Sequence, residues 1–189
     1  MAKESQNFTI ISLFAIILAF TGYIVYNKLF KKIELESYDI PKAEIGRISP
    51  PEPLPLFNFT DENNKLINIE QYKGKVLIIN FWASWCQPCV KELPQFDQMI
   101  EIFGEENMAI IPISIDSAVS LTRLKEFYQE HNINNLAIYR DLGLKAYAAV
   151  MSYGVPTTLI VDRDLNAHLK VSGYLNWEDP QIMNLLNSL

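Results

Sequence analysis

The sequence predicts an α/β domain whose central sheet is covered by helices on both faces, preceded by one transmembrane helix. Three observations carry that prediction. Val76–Phe81 and Met108–Ile115 are almost unbroken apolar runs, the pattern of strands buried on both sides. Apolar residues at three-to-four spacing follow each run, so strands and helices alternate. From Ser5 to Asn27 there is no charged residue.

The 189 residues carry 16 basic and 22 acidic side chains, a formal charge of −6, and 49% of them are hydrophobic. That composition is globular rather than disordered. No basic face offsets the acidic excess, so nucleic acid is not expected as a partner. Cys86 and Cys89 are the only cysteines, and the loop between them is too short to staple a secreted mini-protein.

Residues 1–32 read as a membrane anchor with its span at about 8–26. At helical rise such a span reaches about 28 Å, close to the hydrocarbon thickness of a bilayer. Tyr23 and Tyr26 stand at one end, where amphipathic rings favour the interface, and Lys28, Lys31 and Lys32 follow. A cleaved signal peptide is the rival, but it wants an apolar run of roughly 7–15 residues and small residues before the cut. Ala19-Phe20-Thr21 fits that poorly. No cysteine lies near the segment to carry a lipid.

Residues 33–53 read as a linker, because Pro41, Pro50, Pro51 and Pro53 forbid helix and favour extended chain. The remaining domain, residues 54–189, opens with short strands at Leu54–Phe59 and Leu66–Ile69. The strand Val76–Phe81 feeds a helix from about Cys86 to Phe103, with Leu93, Phe96, Ile100 and Phe103 on one face. After the strand Met108–Ile115, Leu121, Leu124, Phe127 and Tyr128 form one face of a helix ending near His131. Asp141 suits the N-cap of a short helix through Ala149. Strands at Thr157–Val161 and Ala167–Ser172 are joined through a turn-rich Asp-Arg-Asp-Leu-Asn, and Asp179–Leu189 is a last helix.

The pair Cys86-Gln87-Pro88-Cys89 lies where a buried strand gives way to a helix. A cysteine at a helix N-terminus faces unpaired N–H groups and the positive end of the dipole, which stabilise its thiolate. Two intervening residues let the second sulfur reach the first as a readily exchanged disulfide. Pro88 suits the first helical turn, where no N–H is needed. Cys86 is therefore expected to be the exposed, attacking thiol and Cys89 the buried, resolving one. The alternatives are a zinc half-site, which lacks a second cysteine pair, or two inert core cysteines.

Asn80-Phe81-Trp82-Ala83-Ser84-Trp85-Cys86-Gln87-Pro88-Cys89 resembles the active-site stretch of thioredoxins. Its continuation Val90-Lys91-Glu92-Leu93-Pro94 resembles the membrane-anchored TlpA, ResA and CcmG group, as do the preceding hairpin and Gly154-Val155-Pro156-Thr157. The stretch Gly173-Tyr174-Leu175-Asn176-Trp177 leans towards TlpA. The resemblance implies a thioredoxin fold, with a central mixed sheet and an extra N-terminal β-hairpin. It implies that Pro156 is a cis-proline facing the cysteine pair, where Trp85, Gln87, Pro88, Val155 and Pro156 meet an extended substrate segment. Trp85 would supply an apolar docking surface. Thioredoxins carry a buried Asp six residues before the first cysteine; this chain has Asn80, which cannot titrate. Glu92, one helical turn past Cys89, is then a candidate proton acceptor, against a solvated helix carboxylate. His131, near the end of a helix, reads as a solvated residue of its C-terminal turn, and His168, on a strand, as structural.

The function implied is thiol–disulfide exchange, reducing specific extracytoplasmic protein disulfides. The substrates implied are apocytochrome c or the copper-site proteins of oxidase assembly, with a transmembrane reductant donor as second partner. No cofactor is expected beyond the Cys86–Cys89 disulfide. The alternatives are a thiol peroxidase, or a copper-binding assembly module whose CxxxC spacing this chain misses by one residue. The family places such a domain in the periplasm of a bacterial inner membrane, held by a single pass through the bilayer. The lysines after the span would by themselves place it in the cytoplasm.

Overall fold

The computed structural model describes residues 18–25, 43–104 and 106–189. The chain divides into two units, Met1–Asp39 and Ile40–Leu189. In the first, residues 18–25 are helical with Leu18, Phe20, Tyr23 and Val25 exposed. Among the described residues no helix is long and apolar enough to cross a membrane. The rest of the expected span, and residues 33–42 of the expected linker, lie outside the described residues.

The second unit is built on eight strands. They are β1 (Glu44–Pro53), β2 (Asn58–Thr60), β3 (Leu66–Asn68), β4 (Val76–Trp82), β5 (Met108–Ser114), β6 (Tyr139–Arg140), β7 (Thr157–Val161) and β8 (Asn166–Ser172). Among the described residues four α-helices accompany them: α1 (Gln87–Phe103), α2 (Leu121–Glu130), α3 (Lys145–Ala149) and α4 (Pro180–Asn187). The sheet order is β1-β8-β7-β4-β5-β6-β2-β3. It is mixed: β4, β5 and β6 run parallel, whereas β7, β8 and β1 add antiparallel on the other side.

Every residue of β4 is buried, because both faces of the sheet are covered. The period of two divides its side chains between two cores. Leu77, Ile79 and Phe81 join Ile111, Ile113, Leu159 and Phe59 on one face. Ile78 and Trp82 join Leu93, Phe96, Leu124, Phe127 and Trp177 on the face that carries α1. Asn80 falls on this second face by its even position, directly opposite Thr158 in the register of β7.

The linker assignment is corrected for residues 44–53. The prolines do extend the chain there, but the segment is an edge strand, β1, paired antiparallel with β8. Pro50 and Pro51 fall where the register shifts between Arg47 and Glu52, so neither has to supply a ladder N–H. An edge strand needs partners on one side only, and its burial pattern, exposed almost throughout, resembles that of a linker. The two-residue β6 is too short to have a periodicity. It nonetheless joins the hairpin β2–β3 to the sheet, since Thr60 pairs with Arg140. The expected N-cap is corrected: Leu144, not Asp141, holds that position in α3, although the Asp141 carboxylate still accepts from Lys145 N and Tyr147 N at 3.0 and 2.8 Å.

Candidate active site

At the end of β4 the chain turns and enters α1 through Cys86, the N-cap residue. Asp116, just past β5, holds this turn. Its carboxylate accepts from Ser84 N at 2.8 Å, Ser84 Oγ at 3.3 Å and Ser114 Oγ at 3.0 Å. Cys86 N then donates to Ala83 O at 3.0 Å, which closes the turn. Asp116 was missed in the sequence; an aspartate following a buried strand gives no signal that it reaches a loop 32 residues earlier.

Cys86 and Cys89 form a disulfide, with their Cα atoms 5.3 Å apart. Cys89 N donates to Cys86 Sγ at 3.3 Å, so the sulfur takes the place of a capping oxygen at the first turn. Pro88 occupies that same turn. One expectation is corrected. Cys86 is only 5% exposed and Cys89 1%, because in the disulfide both pack in the core with Ala83 and Leu93. The accessible groups are the neighbours: Gln87 is exposed, and Trp85 is 68% exposed.

Thr157 opens β7 opposite Phe81, so the chain entering β7 and the chain leaving β4 meet at one end of the sheet. That register places Val155 and Pro156 at the same end of the sheet as the cysteine loop. The Val155–Pro156 bond is cis, Gly173 N donates to Pro156 O at 2.9 Å, and Val155 packs against the core that holds both cysteines. A groove of about 330 Å³ beside the cysteine turn is walled by Ser84, Trp85, Gln87, Phe127 and His131. His131 ends α2, its ring stacked on Phe127 at 4.1 Å, and His168 pairs with Asp162 at 2.8 Å.

Glu92 is not a solvated helix carboxylate. It is fully buried one turn beyond Cys89, and burial pushes its carboxyl up to about 7. Its Oε1 accepts from Leu175 N at 2.8 Å and from Trp177 Nε1 at 3.0 Å. Gln95, one turn further, accepts from Trp177 N at 2.7 Å and donates to the Tyr174 hydroxyl at 3.2 Å. The loop 173–177 is thus clasped to the helix that carries the cysteines. In the sequence this loop stands out only by resemblance and Trp177 carries no signal, since pairing across 85 residues has no local pattern.

A dithiol–disulfide couple whose first sulfur caps a helix, beside a cis-proline loop and above a buried acid near neutral pKa, is equipped for two-electron exchange with another disulfide. Comparison with known proteins agrees with this chemistry. Residues 50–168 match the AhpC/TSA family. The chain is similar to the thiol-disulfide oxidoreductase ResA of Bacillus thuringiensis subsp. konkukian, 28% identical over 176 residues, covering 92% of this chain and 91% of that protein. A DsbF homologue from Corynebacterium diphtheriae superposes with a TM-score of 0.64 at 19% identity, over 79% of this chain and 94% of the other. A thioredoxin-family thiol:disulfide interchange protein from Chlorobium tepidum gives 0.60 at 23% identity, over 72% and 96%. These two structural likenesses establish a thioredoxin-like fold.

Proposed function

The chain belongs to the AhpC/TSA family and is an oxidoreductase of thiols and disulfides, and from that premise we propose that it is a membrane-tethered reductant of protein disulfides. The observation that carries the reading is the Cys86–Cys89 disulfide at the start of α1, with Val155 of the cis Val155–Pro156 pair packed against the same core and Glu92 buried one turn below.

In the reduced protein the Cys86 thiolate, stabilised by the helix N-terminus, attacks one sulfur of the substrate disulfide. The other substrate sulfur leaves with the electron pair and takes a proton from water. A mixed disulfide through Cys86 results. Cys89 then gives its thiol proton to Glu92 and attacks Cys86, and the second substrate sulfur departs as a thiolate. Two electrons have passed to the substrate, and the protein is left in the disulfide form. A carboxyl near pKa 7 is matched to this transfer, able to accept at neutral pH and to release afterwards. A substrate segment lies along the Val155–Pro156 backbone, with Trp85, Gln87 and Pro88 as its other contacts.

The resemblance to TlpA, ResA and CcmG supports the finer reading. Within that group the chain is read as TlpA-like, and the substrates are apocytochrome c or oxidase copper-site proteins. Electrons arrive from a transmembrane dithiol carrier. Residues 8–26 span the bacterial inner membrane once, and the catalytic domain works in the periplasm, where disulfides form by default and reductant must be delivered. A Cys89→Ala variant tests this directly. Expressed in its host, it accumulates a reductant-sensitive adduct through Cys86 with an exported cysteine-pair protein, and Cys86→Ala forms none. An adduct made only with cytosolic proteins, or no adduct at all, overturns the reading.

A further inference from the structure

The two carboxyl oxygens of Glu92 are held differently. Oε1 takes the N–H groups of Leu175 and Trp177, whereas Oε2 has no hydrogen-bond partner among the described residues. The titrating proton therefore belongs on Oε2. The side chain within hydrogen-bonding range of the carboxyl is Asn80, on β4. Its Nδ2 donates to Thr158 Oγ1 at 2.9 Å, and its Oδ1 is likewise without a partner. All three side chains are within 1% of full burial. The carboxyl's other partners are the Trp177 indole and Leu175 N–H, and Cys89 and Gln95 stand one turn either side of it on α1. None of them is charged.

Each of these two oxygens, Glu92 Oε2 and Asn80 Oδ1, buried and without a donor, is costly. A proton on Oε2 removes the cost, because the neutral acid then donates to Asn80 Oδ1 and both oxygens are satisfied. Ionised Glu92 needs a donor instead. Turning the Asn80 amide over supplies one, since Nδ2 then meets the carboxylate while Oδ1 accepts from the Thr158 hydroxyl, itself able to donate or accept. An aspartate at position 80 would compete for the proton, and an apolar residue would serve neither state.

We propose that Asn80, backed by Thr158, is a positioning residue that serves both protonation states of Glu92 by turning its amide over. It lets the acid take the Cys89 proton on resolution, and return it on recharging, without stranding a buried polar atom. This rests on the reading of Glu92 as the acceptor for Cys89.

Infrared titration of the oxidised full-length protein tests it. The acid C=O band of Glu92 is identified by its loss in Glu92→Gln. In Asn80→Leu the carboxylate loses a charge-assisted hydrogen bond and the acid a weaker one, so the midpoint rises by roughly one pH unit. The band also moves to the frequency of an acid that donates to nothing. Thr158→Val, which conserves volume, carries the test if Asn80→Leu does not fold, and gives a smaller rise in the same direction. Band and midpoint unchanged in both variants overturn the proposal. Because the titration involves no turnover, an unmoved band with normal disulfide exchange sinks the pairing alone. A shifted band in a protein that exchanges no disulfides supports the pairing and removes the reading of function.

Discussion

The indole Nε1 of Trp177 donates to Oε1 of Glu92 over 3.0 Å, both residues fully buried, joining the loop before the last helix to the helix that carries the cysteines. The bond fixes which carboxyl oxygen is free to carry a proton. It also ties the acid to Gly173, which reaches the cis-proline through Pro156 O.

Trp177→Phe keeps the ring and removes the donor. The ionised carboxylate loses more than the neutral acid, so the Glu92 midpoint, about 7 in the parent, rises by roughly one unit. The pH profile of mixed-disulfide resolution, followed by rapid mixing, moves towards alkaline pH by the same amount.

Stability carries the same signature. Glu92 holds its proton more tightly folded than unfolded, so the folded state binds more protons between about pH 4.5 and 7 and stability falls as pH rises through that window. A displacement of this size corresponds to roughly 3 kcal/mol, complete by about pH 8. Glu92→Gln mimics the neutral acid and removes this slope. Denaturant unfolding of the oxidised proteins at pH 4 and pH 8 checks it: the variant gains on the parent at the higher pH.

Asp116→Ala leaves Ser84 N–H and Ser114 Oγ without their acceptor at the turn before Cys86. The expected loss is about 2 kcal/mol of unfolding free energy. The same turn presents the attacking sulfur, so reduced Asp116→Ala reacts with a protein disulfide more slowly than the parent, whereas its Glu92 midpoint is unchanged.

Trp85→Ala removes an exposed side chain and shifts stability by no more than about 0.5 kcal/mol. If the indole docks a substrate segment, KM for a protein disulfide rises about tenfold. Exchange with a small disulfide such as oxidised dithiothreitol stays the same, and the two assays together separate docking from chemistry.

Much of this was written locally. The buried strands β4 and β5 and the helix entered through Cys86 follow from apolar period and a proline at the right turn. The cysteine pair was legible because its chemistry depends on four consecutive residues at one helix start. The edge strand β1 was not, since its prolines give the same extended chain whether it is paired or free. Nor was the accessibility of Cys86, which depends on what packs around it once the disulfide closes.

By itself the sequence determined the redox couple and the layers of the sheet, because both are set by spacing within a few residues. Only the tertiary structure decided what surrounds the couple. Asn80, Glu92, Asp116, Thr158 and Trp177 come from separate strands, helices and loops, and their meeting depends on strand register and helix packing. Burial then gives Glu92 a neutral-range pKa that no property of the isolated side chain would supply.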